Sequence, residues 1–274
     1  MRSYLNKLVH ITGGSSGIGL EAARLFSSLG ASVVIFARDR KKLDTVLREL
    51  EETKISSSQA LLTLALDVTD RNAVNAVVND VVAKLGAPDV LINSTGVFFS
   101  DLFENTPGER CDEVMRVNFG GTWNTIAALL PHMKARGGNI VNVASVAGLV
   151  GVFGCTAYSA SEFAVVGFSE ALRNELRRYG ITVSVLCPPD TDTPQLSRKS
   201  RTTPPETRAL SSIARLMKPG EVARAMVRGM ELGRFLIVAG GGRPLYHLKR
   251  LLPGVAESVM AGSIRKVQRK AAGR

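Results

Sequence analysis

The sequence predicts one α/β domain built on a doubly wound parallel sheet. Three observations carry that reading. Seven short apolar runs alternate with stretches at helical spacing, and helices between strands force neighbouring strands parallel. A glycine-rich turn stands between the first run and the first helical stretch. Polar or glycine residues follow five of the runs, at the strand ends outside which such sheets bind ligands. A length of 274 residues and 45% hydrophobic content suit a single domain with a large core.

Leu8–Thr12 is the first strand. It runs into Gly13-Gly14-Ser15-Ser16-Gly17-Ile18-Gly19 and then a helix with Ala22, Ala23, Leu25, Phe26 and Leu29 on one face. Strand, glycine turn and helix together bring backbone N–H groups and a helix N-terminus to a pyrophosphate. The spacing departs from G-x-G-x-x-G, so the strand-to-helix context carries the reading. Gly13, Ser15, Ser16, Gly17, Ile18 and Gly19 are the candidate contacts.

The second strand, 32–37, ends in Ala37-Arg38-Asp39. An acid at this end binds a ribose 2′-hydroxyl, and an arginine accepts a 2′-phosphate. Arg38, with Arg40 nearby, favours NADP(H). Asp39 comes one place too late to replace it. The competing reading is a solvated loop charge at Arg38.

Residues 41–52 form an amphipathic helix. Residues 60–66 are a third strand, with Asp67 and Val68 after it where an adenine amino group would lie. Residues 72–85 are helical, and 89–92 are a fourth strand followed by Asn93-Ser94-Thr95-Gly96. Residues 108–134 read as one long helix containing Asn118. Residues 139–144 are a fifth strand with Ser145 at its end, and 157–178 are a long helix carrying Tyr158 and Glu162. Residues 181–187 are a sixth strand before Pro188-Pro189, 219–229 a helix, and 235–238 a short last strand. The polar, basic segment 196–217, too long for an ordinary connection, reads as a substrate lid. The domain is therefore 1–242, a Rossmann arrangement with a lid insertion at about 196–217. A basic C-terminal extension, 243–274, follows it.

Chemistry centres on Ser145, Tyr158 and Glu162. A tyrosine hydroxyl exchanges a proton with a substrate oxygen when neighbours tune its pKa, and a serine hydroxyl holds the same oxygen. Glu162 lies one helical turn past Tyr158. A cation there would favour tyrosinate, and an anion opposes it.

Net charge is +11. Residues 243–274 hold eight Lys and Arg against Glu257 alone, +7 of that total, which leaves +4 for the rest. Charge confined to a tail argues against a nucleic-acid binder. Three cysteines without CxxC spacing read as thiols in a reducing compartment. Three scattered histidines offer no metal site. No apolar run reaches membrane-spanning length, and the N-terminus reads directly into a strand, so a cytoplasmic protein without a leader is expected.

These residues resemble the short-chain dehydrogenase/reductase family over nearly the whole chain. Thr12-Gly13-x-x-x-Gly17-x-Gly19 is similar to its cofactor motif. Asn93-Ser94-Thr95-Gly96 resembles its Asn-Asn-Ala-Gly motif, altered in the middle. Asn118, Ser145 and Tyr158 match its catalytic Asn, Ser and Tyr in order and spacing. Within the family, the chain resembles most the branch that reduces 3-ketosphinganine. Ala157-Tyr158-Ser159-Ala160-Ser161, Pro188-Pro189-Asp190-Thr191-Asp192-Thr193-Pro194 and Arg201-Thr202-x-Pro204-x-Glu206-Thr207-Arg208 carry that likeness.

The resemblance implies NADPH-dependent reduction of a lipid-like ketone, with Ser145 on the oxyanion and Tyr158 as proton donor. Asn118 would organise water, and Pro188, Thr191 and Thr193 would hold the carboxamide. Residues 97–99 and 149–153 would line an apolar channel. It also implies a homodimer or homotetramer built on the helices at 108–134 and 157–178.

The family has lysine where this chain has Glu162. That lysine binds ribose hydroxyls and lowers the tyrosine pKa. Two unit charges about 6 Å apart interact by roughly 3 kcal/mol at an effective dielectric of 20, about two pK units. Impaired turnover is expected. An engineered inactivation, a natural NADPH-binding pseudoenzyme working through an interaction or membrane face, and a tolerated glutamate remain open.

In the tail, Leu245, Leu248, Leu252, Val255, Val259, Ile264 and Val267 recur at near-helical spacing, broken at Pro253-Gly254. One reading is peripheral membrane contact with anionic lipid. The other is a helix packed on its own domain or on a partner subunit.

Overall fold

In the computed structural model, seven strands pair in parallel in the order β3-β2-β1-β4-β5-β6-β7. The structure describes residues 1, 3–197, 202–211 and 215–272. Arg198, Lys199 and Arg201 of the basic segment lie outside the described residues. The chain runs β1 (Leu8–Thr12), α1 (Gly17–Ser28), β2 (Ser32–Ala37), α2 (Arg40–Thr53), β3 (Leu61–Ala65), α3 (Arg71–Leu85) and β4 (Val90–Asn93). It continues through α4 (Gly108–Val114), α5 (Gly121–Met133), β5 (Gly138–Val143), α6 (Thr156–Leu176) and β6 (Ile181–Cys187). The last elements are α7 (Pro194–Ser197), α8 (Pro205–Ser211), α9 (Pro219–Glu231), β7 (Leu236–Val238), α10 (Gly242–Leu251) and α11 (Pro253–Ala272).

Period-two alternation in β1 and β2 feeds two cores. Val9, Ile11, Val33 and Ile35 pack under Phe26 of α1 and Val222 and Met226 of α9. Leu8, Val34 and Phe36 face Val78, Leu129 and Leu172 on the other side. His10 shares that second side and meets the Phe36 ring at 5.6 Å. With both faces covered, the strands read as continuous apolar runs, which is why they were legible.

The expected single helix at 108–134 contains an irregularity. Residues Met115–Gly120 form a π-helical turn between α4 and α5. Such turns recur at functional sites because the extra residue redirects a side chain, and this one carries Asn118.

The segment after β6 leaves and returns at one place. Thr191 bridges Met217 in parallel, and Met217 N donates to Asp190 O at 3.1 Å. Within the excursion, Thr207 Oγ1 donates to Phe153 O at 2.7 Å and Thr202 Oγ1 to Ser100 O at 2.9 Å. The tail forms α10 and α11, broken at Leu252, with Pro253 at the start of α11, where a missing N–H is tolerated. Helix α11 packs against α10 and against α8.

Candidate active site

A cavity of about 410 Å³ opens at the carboxyl ends of the strands, on both sides of the switch between β1 and β4. Every candidate residue except Gly19 and Asn93 lines it.

The glycine turn forms the middle of the wall. Gly13 has φ +69°, and a Cβ there would fall 2.6 Å from the Ser94 carbonyl oxygen. Gly19 lies behind, where a Cβ would meet the Gly13 carbonyl oxygen at 2.5 Å, so it sets how closely α1 approaches the turn. Ser16, the N-cap of α1, makes no side-chain cap bond. Its neighbours Gly17 and Ile18 line the cavity. An uncapped first turn beside a glycine loop suits an anionic diphosphate.

Arg38, Asp39, Lys42, Asp67 and Val68 form one end. Asp39 is engaged as the N-cap of α2, accepting from Lys42 N at 3.2 Å. Asp67 accepts from Thr69 N and Thr69 Oγ1 at 2.9 and 2.8 Å. Burial opposes its charge, but those bonds and Arg38 outweigh burial and hold the carboxyl below its usual range. Arg40 turns instead along α2 to Asp44, 3.2 Å away. The expected partner of Arg38 is therefore not at the wall, and Lys42 is. Sequence reading missed Lys42 because it lies inside the helix, two residues past its start.

At the other end, β5 delivers Ser145 and α6 delivers Tyr158 and Glu162. The Ser145 hydroxyl accepts from Ala147 N at 3.1 Å and faces the Tyr158 phenol closely enough to work against the rise in its pKa. Phe98 packs edge-on against the Tyr158 ring at 4.9 Å. Gly148 lets α6 come close, because a Cβ there would sit 2.7 Å from the Glu162 carbonyl oxygen. Burial drives the phenol well above its ordinary pKa, the Glu162 charge adds to that, and Ser145 opposes it.

Glu162 is 5% exposed. Burial pushes its carboxyl up to about 8, against a hydrogen bond from Asn118. Near neutral pH it is mostly a neutral acid. Reversed charge, the expectation from sequence, becomes loss of charge. Asn118 Nδ2 lies 3.1 Å from Glu162 Oε1, 3.0 Å from Ser161 Oγ and 3.1 Å from Val97 O, and Asn118 Oδ1 accepts from Val97 N at 2.8 Å.

Asn93 does not reach the cavity. Its Nδ2 donates to Asn142 Oδ1 at 2.9 Å, and Asn142 Nδ2 donates to Ser169 Oγ at 2.9 Å. It ties β4 to β5 and α6. Val97 and Phe98 line the wall, but residues 149–153 do not. Leu149 packs with the cluster around Val165 and Val185, and Phe99 faces the Arg110 guanidinium at 5.9 Å. Pro194, Gln195 and Leu196, at the start of the excursion, take their place.

The family model for short chain dehydrogenases matches residues 7–204. The chain belongs to the short-chain dehydrogenase family. It is 38% identical over 250 residues to the 3-ketodihydrosphingosine reductase of Mus musculus, covering 90% of this chain and 75% of the relative. It is also 38% identical over 250 residues to the 3-dehydrosphinganine reductase of Danio rerio, with the same coverage. Among solved structures, the apo form of LigD from Sphingobium sp. strain SYK-6 superposes with a TM-score of 0.72 at 25% identity, over 97% of both chains. This short-chain dehydrogenase is thus an oxidoreductase of a family that uses nicotinamide cofactors. Its uncapped α1 terminus, close Gly13 turn and basic Arg38 end fit such a dinucleotide.

Proposed function

We propose that the chain reduces a ketone on a lipid-like substrate, such as 3-ketosphinganine, to the alcohol, with NADPH as cofactor. Ser145 and Tyr158 side by side at the cavity wall, with the serine acting on the phenol's acidity, carry this reading. Gly13, Ser15, Ser16, Gly17 and Ile18 would hold the diphosphate, Arg38 and Lys42 the 2′-phosphate, Asp67 and Val68 the adenine. Gly96, Pro188, Thr191 and Thr193 would surround the nicotinamide end. When bound, that group supplies the hydride to the carbonyl carbon. Ser145 holds the developing oxyanion, and Tyr158 donates the proton that completes the alcohol.

Asn118 and Glu162 act as positioning groups. A protonated Glu162 can donate to a ribose hydroxyl, which a carboxylate cannot. It supplies no cation to acidify Tyr158, so the phenol is a weaker acid than beside lysine and turnover is slow.

Assembly belongs to the same reading. Trp123 of α5 and Phe163 of α6 are both 46% exposed, and Trp123 stacks near Phe168 at 5.2 Å. This aromatic face supports a homodimer or homotetramer. Among the described residues no helix is long and apolar enough to cross a membrane. The apolar and basic residues of α10 and α11 support peripheral contact with lipid.

NADPH oxidation with a panel of ketones including 3-ketosphinganine tests the reading. Slow turnover is expected, rising about tenfold or more in Glu162→Lys. If both proteins bind NADPH but reduce no ketone, the reductase reading fails and a nucleotide-binding protein without turnover remains.

A further inference from the structure

One buried carboxyl group stands among the reacting groups, and its place is fixed. Glu162 lies one helical turn past Tyr158 and lines the same cavity as Ser145 and Tyr158. Gly148 packs so closely on its backbone that a Cβ there would fall 2.7 Å from the Glu162 carbonyl oxygen. Burial and the Asn118 amide, 3.1 Å from Oε1, are what act on its carboxyl. Among the described residues, no Lys, Arg or His lines this end of the cavity, while Arg38 and Lys42 stand at the adenosine end.

The titratable groups facing it are acids. Tyr158, on the same helix, is held neutral by burial. Cys187, at the end of β6, is fully buried, and the Glu162 charge adds to the burial that keeps its thiol protonated. Asp190, in the turn after β6, and Cys155, the N-cap of α6, both oppose ionisation of the phenol. Ketone reduction brings a cation to this place. The nicotinamide carbon that gives the hydride must meet the carbonyl carbon whose oxygen Ser145 and Tyr158 hold, so the ring belongs at this end. The reduced ring is neutral and the oxidised ring carries one positive charge. The phosphates and riboses are the same in both forms. A carboxylate in a buried wall attracts the oxidised ring and gains little from the reduced one.

We propose that Glu162 tells oxidised from reduced cofactor: its carboxylate pairs with the cationic nicotinamide ring, and its proton leaves for solvent when NADP+ binds. The inference rests on the reductase reading for where the ring lies. In the free protein the carboxyl ionises near 8, so near neutral pH it is mostly protonated and neutral. NADP+ favours the ionised form and lowers that value, whereas NADPH leaves the proton in place. By linkage, the preference for NADP+ is small well below 8 and grows as pH rises through 8. A reductase built in this way holds its oxidised product more firmly in alkaline solution. A lysine at this position would do the reverse.

The test is isothermal titration of the full chain with NADP+ and with NADPH, each in two buffers of different ionisation heat, which counts the protons released. Comparing the nucleotides cancels titration of the 2′-phosphate, which both carry. Near pH 7.5, NADP+ is expected to release roughly half a proton or more beyond NADPH, and the ratio of NADP+ to NADPH affinity should rise about tenfold from about pH 6.5 to about pH 9. Glu162→Gln should remove the extra proton and flatten the ratio, with melting curves to establish that it folds. Equal proton release with the two nucleotides, or a ratio that stays flat with pH in the unmodified chain, overturns the proposal. So does a folded Glu162→Gln protein that keeps both effects. Absence of ketone-dependent NADPH oxidation with the proton difference intact would sink the reductase reading and leave the pairing standing. Failure of either nucleotide to bind would overturn both.

Discussion

Asn118 Nδ2 lies within hydrogen-bond distance of Glu162 Oε1, at 3.1 Å, while the Ser161 hydroxyl and the Val97 carbonyl stand equally near the same nitrogen. An amide nitrogen has two hydrogens. Three acceptors therefore share them, and Glu162 is less well supplied with donors than a buried carboxylate needs. Burial raises its pKa to about 8, and the bond from Asn118 opposes that only in part.

Stability should fall with rising pH because of this group. In the unfolded chain Glu162 ionises near 4.5, and in the folded protein near 8. Between those values the folded state holds a proton that the unfolded state has lost. The stabilisation is complete below 4.5 and is lost as pH rises through 8, by an amount on the order of a few kcal/mol. Glu162→Gln removes the dependence. Urea unfolding near pH 5 and pH 9 should show the variant gaining on the parent at the higher pH. Parallel losses in the two proteins would refute the raised pKa.

Arg38 should govern cofactor choice. Asp39 is committed to capping α2, so Arg38 and Lys42 are the groups left to meet a 2′-phosphate. Arg38→Ala is expected to weaken NADPH binding about tenfold to hundredfold, the effect of one or two hydrogen bonds to a charged group. NADH binding should change little. Fluorescence titration with both nucleotides checks this, and equal losses for the two would remove the NADPH assignment.

His10 is a weak point in the sheet. It is fully buried in β1, and neither ring nitrogen has a hydrogen-bond partner. Burial lowers its pKa from 6.5 to about 3. Below 6.5 the unfolded chain takes up a proton that the folded protein refuses, so stability drops as pH falls from 6.5 toward 3. His10→Leu, close in volume and apolar, should raise stability by about 2 kcal/mol near pH 5 and by less near pH 8. Melting temperatures at the two values measure it. An equal gain at both would assign the effect to packing alone.

Strands and turns were legible because burial on both faces writes continuous apolar runs, and because Gly13, Ser145 and Pro188 sit where those runs stop. What required three dimensions stayed hidden. Asn93 stands at a strand end like the others, as the last residue of β4, yet its side chain turns sideways to Asn142. Arg40 and Lys42 differ by two places on α2, and only the helix phase decides which one reaches the cavity. The π turn at Met115–Gly120 has no compositional mark. The charge state of Glu162 depends on how deeply α6 is covered, which no local pattern states. Contact between α11 and α8 joins two segments that periodicity treats separately.

That contact bears on lipid binding. Ala256 is buried where the tail turns back, so α11 is held against the domain by one side. Around it, Leu251, Leu252, Val255 and Val259 are 73%, 55%, 48% and 55% exposed. Arg250 and Lys249 stand next to them, and Arg265, Lys266 and Arg269 follow along α11. Lys249 is partly neutralised by Glu257 at 2.7 Å. Four exposed aliphatic side chains beside basic residues match an interfacial helix, whose affinity combines apolar burial with attraction to anionic headgroups. Co-sedimentation with phosphatidylserine-containing vesicles should be strong at low salt and weaker at high salt or with neutral lipid. Replacing Leu251, Leu252, Val255 and Val259 together by serine should lower it at least about tenfold while melting stays close to that of the parent, since these side chains support no core. Binding that survives the replacement but vanishes in salt would leave only a basic patch, and no binding in either protein would leave α11 as a strut for the lid.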